Sequence, residues 1–197
     1  MPSITAQCGS LDIVGDVHGC LEELLELMAA LGYLVARQNG DFAVTPPQGI
    51  KLAFTGDLVN RGPATVDVLR LAMSMVRAGQ AFCVAGNHEL SLLKALADGT
   101  LPVAPFLAQS MEQLNLEPKE FRAQAADFLA GLPIYSLFDA GKLAIAHAGL
   151  KEWMLGRSSA EVSRFALQGE PTGKKDEFGV PIRSNWAGPT HIKSPAI

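Results

Sequence analysis

Side chains that commonly bind metal ions recur four times in this sequence, each time directly after a short apolar run with the character of a β-strand. These side chains are Asp16 with His18, then Asp57, then Asn87 with His88, and finally His147. Because parallel strands bring their carboxyl ends to one edge of an open α/β sheet, we expect these side chains to lie together there. Carboxylate, amide and imidazole groups at one sheet edge predict a metal site.

Each motif taken alone also has an ordinary structural explanation. An Asp or Asn after a strand is often a turn residue or the N-cap of the next helix, which would account for Asp16, Asp57 and Asn87. His88 would then be an exposed imidazole, and His147 a core or turn histidine. We prefer a common site because a random distribution would rarely place three of the four histidines of the chain at strand ends.

The types of these side chains suit the hydrolysis of phosphate esters. That reaction requires neutralisation of charge on the phosphoryl oxygens and a hydroxide at neutral pH, and two divalent ions about 3.5–4 Å apart can provide both. Ions so close together need a bridging carboxylate and further nitrogen or oxygen ligands. The available oxygen and imidazole ligands suit Mn²⁺, Fe or Zn²⁺ better than ions that are selected by thiolates.

Two more side chains next to these motifs can act on a phosphate. Arg61 follows the second motif, and its guanidinium offers a forked pair of donors to phosphate oxygens. His88 lies beside Asn87, where it could protonate a leaving alkoxide. The sequence therefore places a phosphate-binding group and a proton donor beside the predicted metal ligands.

The motifs GDVHG, GDLVNRG, GNHE and HAG occur in this order and resemble those of the calcineurin-like metallophosphoesterase superfamily, in particular its phosphoprotein-phosphatase type. The resemblance covers residues 11–150. It implies an α/β fold in which two packed β-sheets are flanked by helices, an αββα sandwich with the site on loops at the sheet edge.

The same resemblance implies the roles of individual residues. Asp16, His18 and Asp57 would hold one divalent ion, and Asp57, Asn87 and His147 would hold a second. Mn²⁺ is the expected metal, with Fe, Zn and Ni as alternatives. The substrate would be attacked by a metal-bound hydroxide. The remaining roles are phosphate binding by Arg61 and Asn87, and acid catalysis by His88.

The chain departs from the family pattern at two places. The second motif usually reads GDxxDRG, and Asn60 replaces the later Asp, which supports the catalytic histidine. An amide can orient His88 but cannot stabilise its imidazolium as a carboxylate does, so we expect weaker acid catalysis. The family also continues to a Gly-His-Thr segment that completes the second metal site. Here the chain ends in GPTHIKSPAI, with His191 as the only candidate ligand. We therefore expect one domain over residues 1–197 that lacks its final strands.

A narrower resemblance lies downstream of the fourth motif. Residues 147–187 are similar to the phosphatase module of bacterial RNA-repair polynucleotide kinase-phosphatases, which removes terminal phosphates from nucleic-acid or nucleotide ends. Within this segment Arg183 is a candidate phosphate-binding residue, as is Arg157, although a surface role is an equal alternative for each.

These observations favour a two-metal phosphoesterase that acts on phosphomonoesters or small phosphodiesters, including nucleotide or nucleic-acid ends. A protein Ser/Thr phosphatase or a symmetrical dinucleoside polyphosphate hydrolase is the alternative within the same chemistry. A binding module that is impaired in catalysis is a third hypothesis, because Asn60 and the absent Gly-His-Thr segment weaken the site. The expected substrate is a phosphorylated small molecule, a nucleotide or a phosphoprotein.

The composition of the chain limits its partners and location. Hydrophobic residues make up 48% and charged residues 18% of the 197 residues, as in a globular protein. The net charge of −4 provides no basic field, so we expect no stable complex with nucleic acid. No apolar run is long enough for a membrane span, and Met1–Cys8 is not a signal peptide. Three cysteines without a CxxC motif favour the reduced cytoplasm.

The sequence leaves the oligomeric state open. Among the cysteines, Cys20 lies near the first motif, and we expect it to pack at a helix start rather than bind metal.

The apolar periodicity predicts alternating strands and helices, which is typical of a layered α/β fold. The predicted strands are 11–15, 50–55, 81–85, 134–138 and 142–147, the last two joined as a hairpin by Asp-Ala-Gly. The predicted helices are 21–32, 64–78, 89–97 and 121–131, with a short hairpin within 33–45. We expect an irregular insertion at 98–120 and loop from residue 168 onward, where GEPTGKK lacks the spacing of a phosphate-binding loop.

Overall fold

The computed structural model of the protein describes residues 4–6, 9–97, 104–177, 179 and 181–184. The strands are β1 (Ile4–Ala6), β2 (Ser10–Val14), β3 (Leu34–Gln38), β4 (Asp41–Thr45), β5 (Ile50–Phe54), β6 (Ala81–Cys83), β7 (Tyr135–Phe138), β8 (Leu143–Ala146), β9 (Pro171–Lys175) and β10 (Pro181–Arg183). The helices are α1 (Leu21–Ala30), α2 (Thr65–Arg77), α3 (Asn87–Ala97), α4 (Pro105–Leu116), α5 (Lys119–Gly131) and α6 (Ala160–Gln168).

The first sheet brings three of the four motifs to one edge. Its strands β2, β5 and β6 are parallel and adjacent in that order. Val14 pairs with Phe54, and Phe54 pairs with Cys83, so the three strands end at the same level. The loops that carry the first three motifs therefore start side by side, as the sequence predicted.

The second sheet supplies the fourth motif. Strand β7 pairs in parallel with β1 and antiparallel with β8. The predicted Asp-Ala-Gly turn joins β7 to β8 as a short 3₁₀ turn, in which Ala140 has a φ of +57°. Strand β8 ends at Ala146, so His147 follows it directly.

The two sheets pack face to face. Ala53 and Val84 from the first sheet meet Phe138 and Ile145 from the second, and all four are buried. Because successive side chains of a strand point to opposite faces, the neighbours of Ala53 turn the other way. They join the core that the first sheet forms with its helices.

Helices cover the outer faces of both sheets. Leu69 of α2 and Met28 of α1 belong to the same core as the first sheet. On the second sheet, Tyr135 packs with Val162 and Phe165 of α6. Fully burying one such side chain contributes about 1.5–3 kcal/mol. The predicted αββα sandwich is confirmed. The strands and helices predicted within residues 11–97 and 121–147 begin and end within two residues of the observed ones.

The prediction of an irregular insertion at 98–120 is wrong for its described part, which contains helix α4 and the start of α5. Pro105 occupies the first turn of α4, where a missing N–H costs nothing. Leu107, Ser110 and Leu114 are buried at helical spacing. The prolines thus mark helix starts here rather than irregular chain.

The prediction of loop from residue 168 onward is also wrong within the described residues. Strands β9 and β10 form an antiparallel hairpin, and helix α6 precedes them. Ser159 caps α6 by accepting a hydrogen bond from the Val162 amide at 3.2 Å. All of β9 is exposed, so its sequence lacks the apolar alternation by which a strand is recognised. His191 and the predicted lack of final strands lie outside the described residues.

The helices in the described part of the chain include none that is both long and apolar enough to cross a membrane.

Candidate metal centre

The loops of the first two motifs are joined by backbone hydrogen bonds. The His18 amide donates to the Asp57 carbonyl at 2.8 Å, and the Gly62 amide donates to the His18 carbonyl at 2.7 Å. A Cβ at Gly62 would collide with that same carbonyl, which explains the glycine. Left-handed backbone, which side chains rarely adopt, occurs at four residues here. These are His18, Asp57, Asn60 and Arg61, with φ of +47°, +52°, +71° and +70°. Such conformations persist where the surroundings enforce them, typically at functional sites.

A buried carboxylate joins the second motif to the third. Glu89 is 0% exposed, and its two oxygens accept four backbone hydrogen bonds. The donors are the amides of Asp57 at 2.7 Å, Leu58 at 2.8 Å, Val59 at 3.3 Å and Gly86 at 2.8 Å. Burial and the charge of Asp57 raise the pKa of Glu89, whereas the N–H donors lower it. Glu89 therefore fixes the backbone of the loop that carries Asp57.

Asp57 lies at the centre of the site. Its Oδ1 accepts a hydrogen bond from the His88 amide at 3.0 Å. Its Oδ2 faces three imidazoles, 3.7 Å from Nε2 of His18, 3.5 Å from Nε2 of His147 and 3.9 Å from Nε2 of His88. These separations are too long for hydrogen bonds. They are slightly wider than the about 3–3.5 Å between two ligands that each lie about 2.0–2.2 Å from one ion.

His18 presents a ring nitrogen that has no hydrogen-bond partner among the described residues. Its Nδ1 lies 3.1 Å from the Val59 carbonyl, which can only accept, so Nδ1 carries the proton. Nε2 then carries a lone pair, and this nitrogen is buried without a hydrogen-bond partner among the described residues. Asp16 Oδ2 lies 3.6 Å from this atom. An unpaired buried imidazole nitrogen beside two carboxylates fits a divalent ion.

The same argument applies to His147. Its Nδ1 lies 3.2 Å from the Thr55 carbonyl and therefore donates, which leaves Nε2 as an acceptor. Nε2 lies 3.1 Å from Oδ1 of Asn87, which is also an acceptor. Two lone pairs that face each other repel, and a cation bound by both atoms removes that repulsion. A backbone carbonyl that orients a ligating histidine in this way is a usual feature of metal sites.

The structure thus brings together all five predicted metal ligands, and their donor chemistry fits two divalent ions that share Asp57. The ligand atoms fall into two groups within 4.8 Å, one of Asp16, Asp57 and His147 and the other of His18, Asp57 and His88. Cys20 is in neither group, and its thiol lies 3.7 Å from the His18 carbonyl, at the start of α1.

His88 is buried beside this centre. Its ring makes edge-to-face contacts with His18 and Phe106, with centroids 4.7 Å and 5.3 Å away. Burial lowers the pKa of His88, and the charge of Asp57 opposes this. Nη2 of Arg61 lies 3.3 Å from Nε2, and the side-chain amide of Asn60 lies 3.1 Å from Nδ1. Asn60 therefore contacts the histidine as predicted, while weaker acid catalysis stays a prediction.

The remaining predicted residues lie further from Asp57. Arg183 is exposed, and its guanidinium donates to the carbonyl of Gln168 at the end of α6. The guanidinium of Arg157 lies 5.9 Å from the ring centre of Trp153 on the surface. The structure therefore favours the surface role for Arg157, whereas Arg183 reaches a cavity next to the site.

This cavity has a volume of about 420 Å³ and lies between α3, α6 and the β9–β10 hairpin. Asn87 lines it from the side of the metal ligands. Its lining includes Lys94 from α3, Arg164 from α6 and Arg183 from β10. The loop after His147 is tied to α6 because the Ala148 amide donates to the Ala166 carbonyl at 2.7 Å.

Sequence reasoning missed several residues of this region. Glu89 stands inside the GNHE motif, so its position was visible although its role was not. Phe106 lies on a helix that was not predicted. Lys94 and Arg164 are exposed helix residues with no local signature, and only the packing of α6 beside α3 brings them to one cavity.

Comparison with known proteins identifies the family. The family model of calcineurin-like phosphoesterases matches residues 10–190. The chain belongs to this family. Its members are metal-dependent phosphoesterases, so the chain is a hydrolase that acts on phosphate ester bonds. The motif resemblance is thereby confirmed, whereas the narrower resemblance to polynucleotide kinase-phosphatases stays a prediction.

Similar proteins include several bacterial tetraphosphatases. The asymmetrical bis(5′-nucleosyl)-tetraphosphatase PrpE of Halalkalibacterium halodurans is 38% identical over 180 residues, which cover 89% of this chain and 72% of that protein. The protein of the same name from Anoxybacillus flavithermus is 37% identical over 190 residues, covering 94% of this chain and 75% of that protein.

Solved structures show the same fold. A candidate diadenosine tetraphosphatase is 27% identical with a TM-score of 0.55, and the match covers 83% of this chain and 63% of that one. The chain thus spans less than two thirds of the length of that structure. A serine/threonine phosphatase from Saccharomyces cerevisiae has a TM-score of 0.51 at 15% identity and covers 89% of this chain and 55% of its own, which shows the fold alone.

Proposed function

We propose that this chain hydrolyses bis(5′-nucleosyl) tetraphosphates asymmetrically at a centre of two divalent ions. The observation that carries the proposal is the convergence of three imidazoles on Oδ2 of Asp57, at 3.5–3.9 Å. The names of the relatives from H. halodurans and A. flavithermus support the choice of substrate.

The ligand assignment pairs donor atoms that face each other, those of Asp16 and His18 at 3.6 Å and those of Asn87 and His147 at 3.1 Å. Asp16 and His18 would hold one ion, Asn87 and His147 the other, and Asp57 would contribute to both. When bound, the two ions supply positive charge at the phosphoryl oxygens and lower the pKa of a water molecule. Mn²⁺ is the ion we propose, because the ligands are hard oxygens and imidazoles without a thiolate.

The proposed reaction adds one water across a phosphoric anhydride. A bond forms between the water oxygen and phosphorus, and the bond from that phosphorus to a bridging oxygen breaks. The electron pair leaves with the bridging oxygen, and one proton of the water is released. Among the three anhydride bonds of a tetraphosphate bridge, only the outer two give unequal products. Asymmetrical cleavage therefore yields a nucleoside monophosphate and a nucleoside triphosphate.

Arg61 and His88 act on the phosphoryl group in this proposal. The guanidinium of Arg61 binds phosphoryl oxygens through its forked donors. Its Nη2 lies 3.3 Å from Nε2 of His88, so both groups reach the same side of the substrate. His88 then holds a proton near the leaving oxygen, and Asn60 orients its ring.

Asn60 favours an anhydride over an alkyl ester. A neutral amide gives the imidazolium of His88 no charge stabilisation, so proton donation is weak. An alkoxide leaving group depends on that proton, whereas a terminal phosphate oxygen, with a second pKa of about 6, leaves without it. The Ser/Thr phosphatase alternative is therefore disfavoured. A nucleotide substrate also supports the cytoplasmic location predicted from the cysteine content.

The test is the identity of the products. The purified chain is incubated with Mn²⁺ and diadenosine tetraphosphate, and the nucleotides are separated by anion exchange. We expect equal amounts of AMP and ATP. Two equivalents of ADP would establish the symmetrical alternative instead. Absence of cleavage under conditions where p-nitrophenyl phosphate is hydrolysed would overturn the substrate assignment.

A further inference from the structure

The cavity beside Asn87 collects positive charge from three separate elements. Lys94, Arg164 and Arg183 all line it, and no carboxylate residue does so among the described residues. The chain as a whole carries a net charge of −4, so a lining whose charged residues are all cationic differs from its average composition. An anion is the ligand that such a lining favours.

Carboxylates near the cavity are engaged elsewhere or face another surface. Glu170 pairs with Lys151 at 2.7 Å and accepts a hydrogen bond from Ser184 at 2.9 Å. Glu161 lines a separate, smaller cavity, which Arg164 also lines. Within the described part of the chain, no carboxylate lies within 4.0 Å of the charged nitrogens of Lys94 or Arg164. Both cations therefore remain available to a ligand.

The cavity borders the candidate metal centre at one residue, Asn87. Oδ1 of Asn87 lies 3.1 Å from Nε2 of His147, and Asn87 also lines the cavity. A substrate with one phosphoryl group at the metal centre can therefore extend past Asn87 between α3 and α6. The volume of about 420 Å³ lies within the range of small-molecule sites, about 300–1,000 Å³.

We propose that this cavity is a subsite for a chain of linked phosphate groups. It would hold the triphosphate part of the leaving nucleotide through Lys94, Arg164 and Arg183. The choice of the leaving nucleotide rests on the proposed function. Arg183 also anchors the hairpin to α6 through the Gln168 carbonyl, so Lys94 and Arg164 are the residues that separate ligand binding from folding.

The test compares two anions in the full chain loaded with Mn²⁺. Tripolyphosphate and orthophosphate are titrated separately by calorimetry, with free Mn²⁺ equal in cell and syringe. Orthophosphate reports on the metal centre alone, and tripolyphosphate reports on the centre and the subsite together. We expect tripolyphosphate to bind at least about tenfold more tightly than orthophosphate, because several charge-assisted contacts are added.

The decisive variant is Lys94→Gln with Arg164→Gln, and its matched control is Lys142→Gln, an exposed lysine near the β7–β8 turn. The double substitution should reduce the preference for tripolyphosphate to about threefold or less, while the control keeps it. An unchanged preference in the double variant, or no preference in the unaltered chain, would overturn the subsite.

Failure of the subsite and failure of the proposed function give different results. If the unaltered chain prefers tripolyphosphate but leaves diadenosine tetraphosphate intact, the proposed substrate is wrong and the polyphosphate subsite stands. If it releases AMP and ATP but the double variant keeps its anion preference, the function stands and the subsite is wrong.

Discussion

Two neighbouring regions of the molecule are built on opposite principles. The first, which we call the motif cluster, comprises residues 57–60 and 86–89. The second, the cavity wall, comprises α6 and the β9–β10 hairpin. In the motif cluster, Glu89 and Asn60 are both 0% exposed and are tied by hydrogen bonds to their neighbours. In the cavity wall, Arg164 and all of β9 are exposed.

The difference separates chemistry from substrate choice. Metal ligands must be held at fixed distances by buried hydrogen bonds. Breaking such a hydrogen bond lowers both the stability of the fold and the affinity for the metal. The cavity wall provides exposed charges, and such charges can be exchanged with little effect on the fold. We therefore expect substitutions in the motif cluster to affect turnover and stability, and substitutions of exposed charges of the cavity wall that are unpaired among the described residues, such as Arg164, to leave stability nearly unchanged.

The largest effect is expected from Asp57→Asn. The amide oxygen can still accept the hydrogen bond from the His88 amide, so the fold survives, but the shared negative charge is lost. Turnover of p-nitrophenyl phosphate with Mn²⁺ should fall by on the order of 10³-fold or more. Asp127→Asn makes the same chemical change at an exposed site on α5 and should keep full activity. Activity that persists in Asp57→Asn would remove the basis for a shared ligand.

Glu89→Gln should be next in size. A side-chain NH₂ group cannot accept hydrogen bonds, so two of the four backbone donors around Glu89 lose their acceptor. The free energy of unfolding in urea should fall by about 2–4 kcal/mol. Affinity for Mn²⁺ should fall about 10–100-fold, because the backbone under Asp57 is loosened.

Glu112→Gln on the exposed face of α4 is the matched control for this change. It should alter neither the urea midpoint nor the affinity for Mn²⁺. Equal stability of Glu89→Gln and Glu112→Gln would show that the backbone hydrogen bonds accepted by Glu89 do not stabilise the motif cluster.

A smaller and more specific effect is expected from Asn60→Asp. A carboxylate beside Nδ1 of His88 would stabilise the imidazolium and strengthen proton donation. Hydrolysis of phenyl phosphate, whose leaving group is strongly basic, should gain about tenfold relative to p-nitrophenyl phosphate. The ratio of kcat/KM for the two substrates measures this. A ratio equal to that of the unaltered chain would mean that His88 donates no proton in the reaction.

The smallest effect is expected from Arg157→Ala. Its guanidinium lies over the exposed ring of Trp153, a contact that contributes little in water. The free energy of unfolding should change by less than about 0.5 kcal/mol. Hydrolysis of p-nitrophenyl phosphate should change by less than about twofold. A KM for p-nitrophenyl phosphate that rises tenfold or more would instead assign Arg157 to phosphate binding.

The motif cluster was largely predictable from sequence, whereas the cavity wall was not. The motif-cluster residues Asp57 and Asn87, like Asp16 of the first motif, follow strands that are in register, so a local pattern was enough to place them at one edge. The position of Arg164 depends instead on how α6 packs beside α3. That packing is set by contacts between distant parts of the chain. The polar β9–β10 hairpin gives no apolar alternation to reveal it.

The measurement that tests the central claim most directly is the number of Mn²⁺ ions that each chain binds. Equilibrium dialysis of the full chain against Mn²⁺, followed by mass spectrometry of the metal, gives this number without any assumption about substrate. A centre in which Asp57 is shared between two sites predicts two ions per chain, falling to one or none in Asp57→Asn. One ion or none in the unaltered chain would contradict the shared centre.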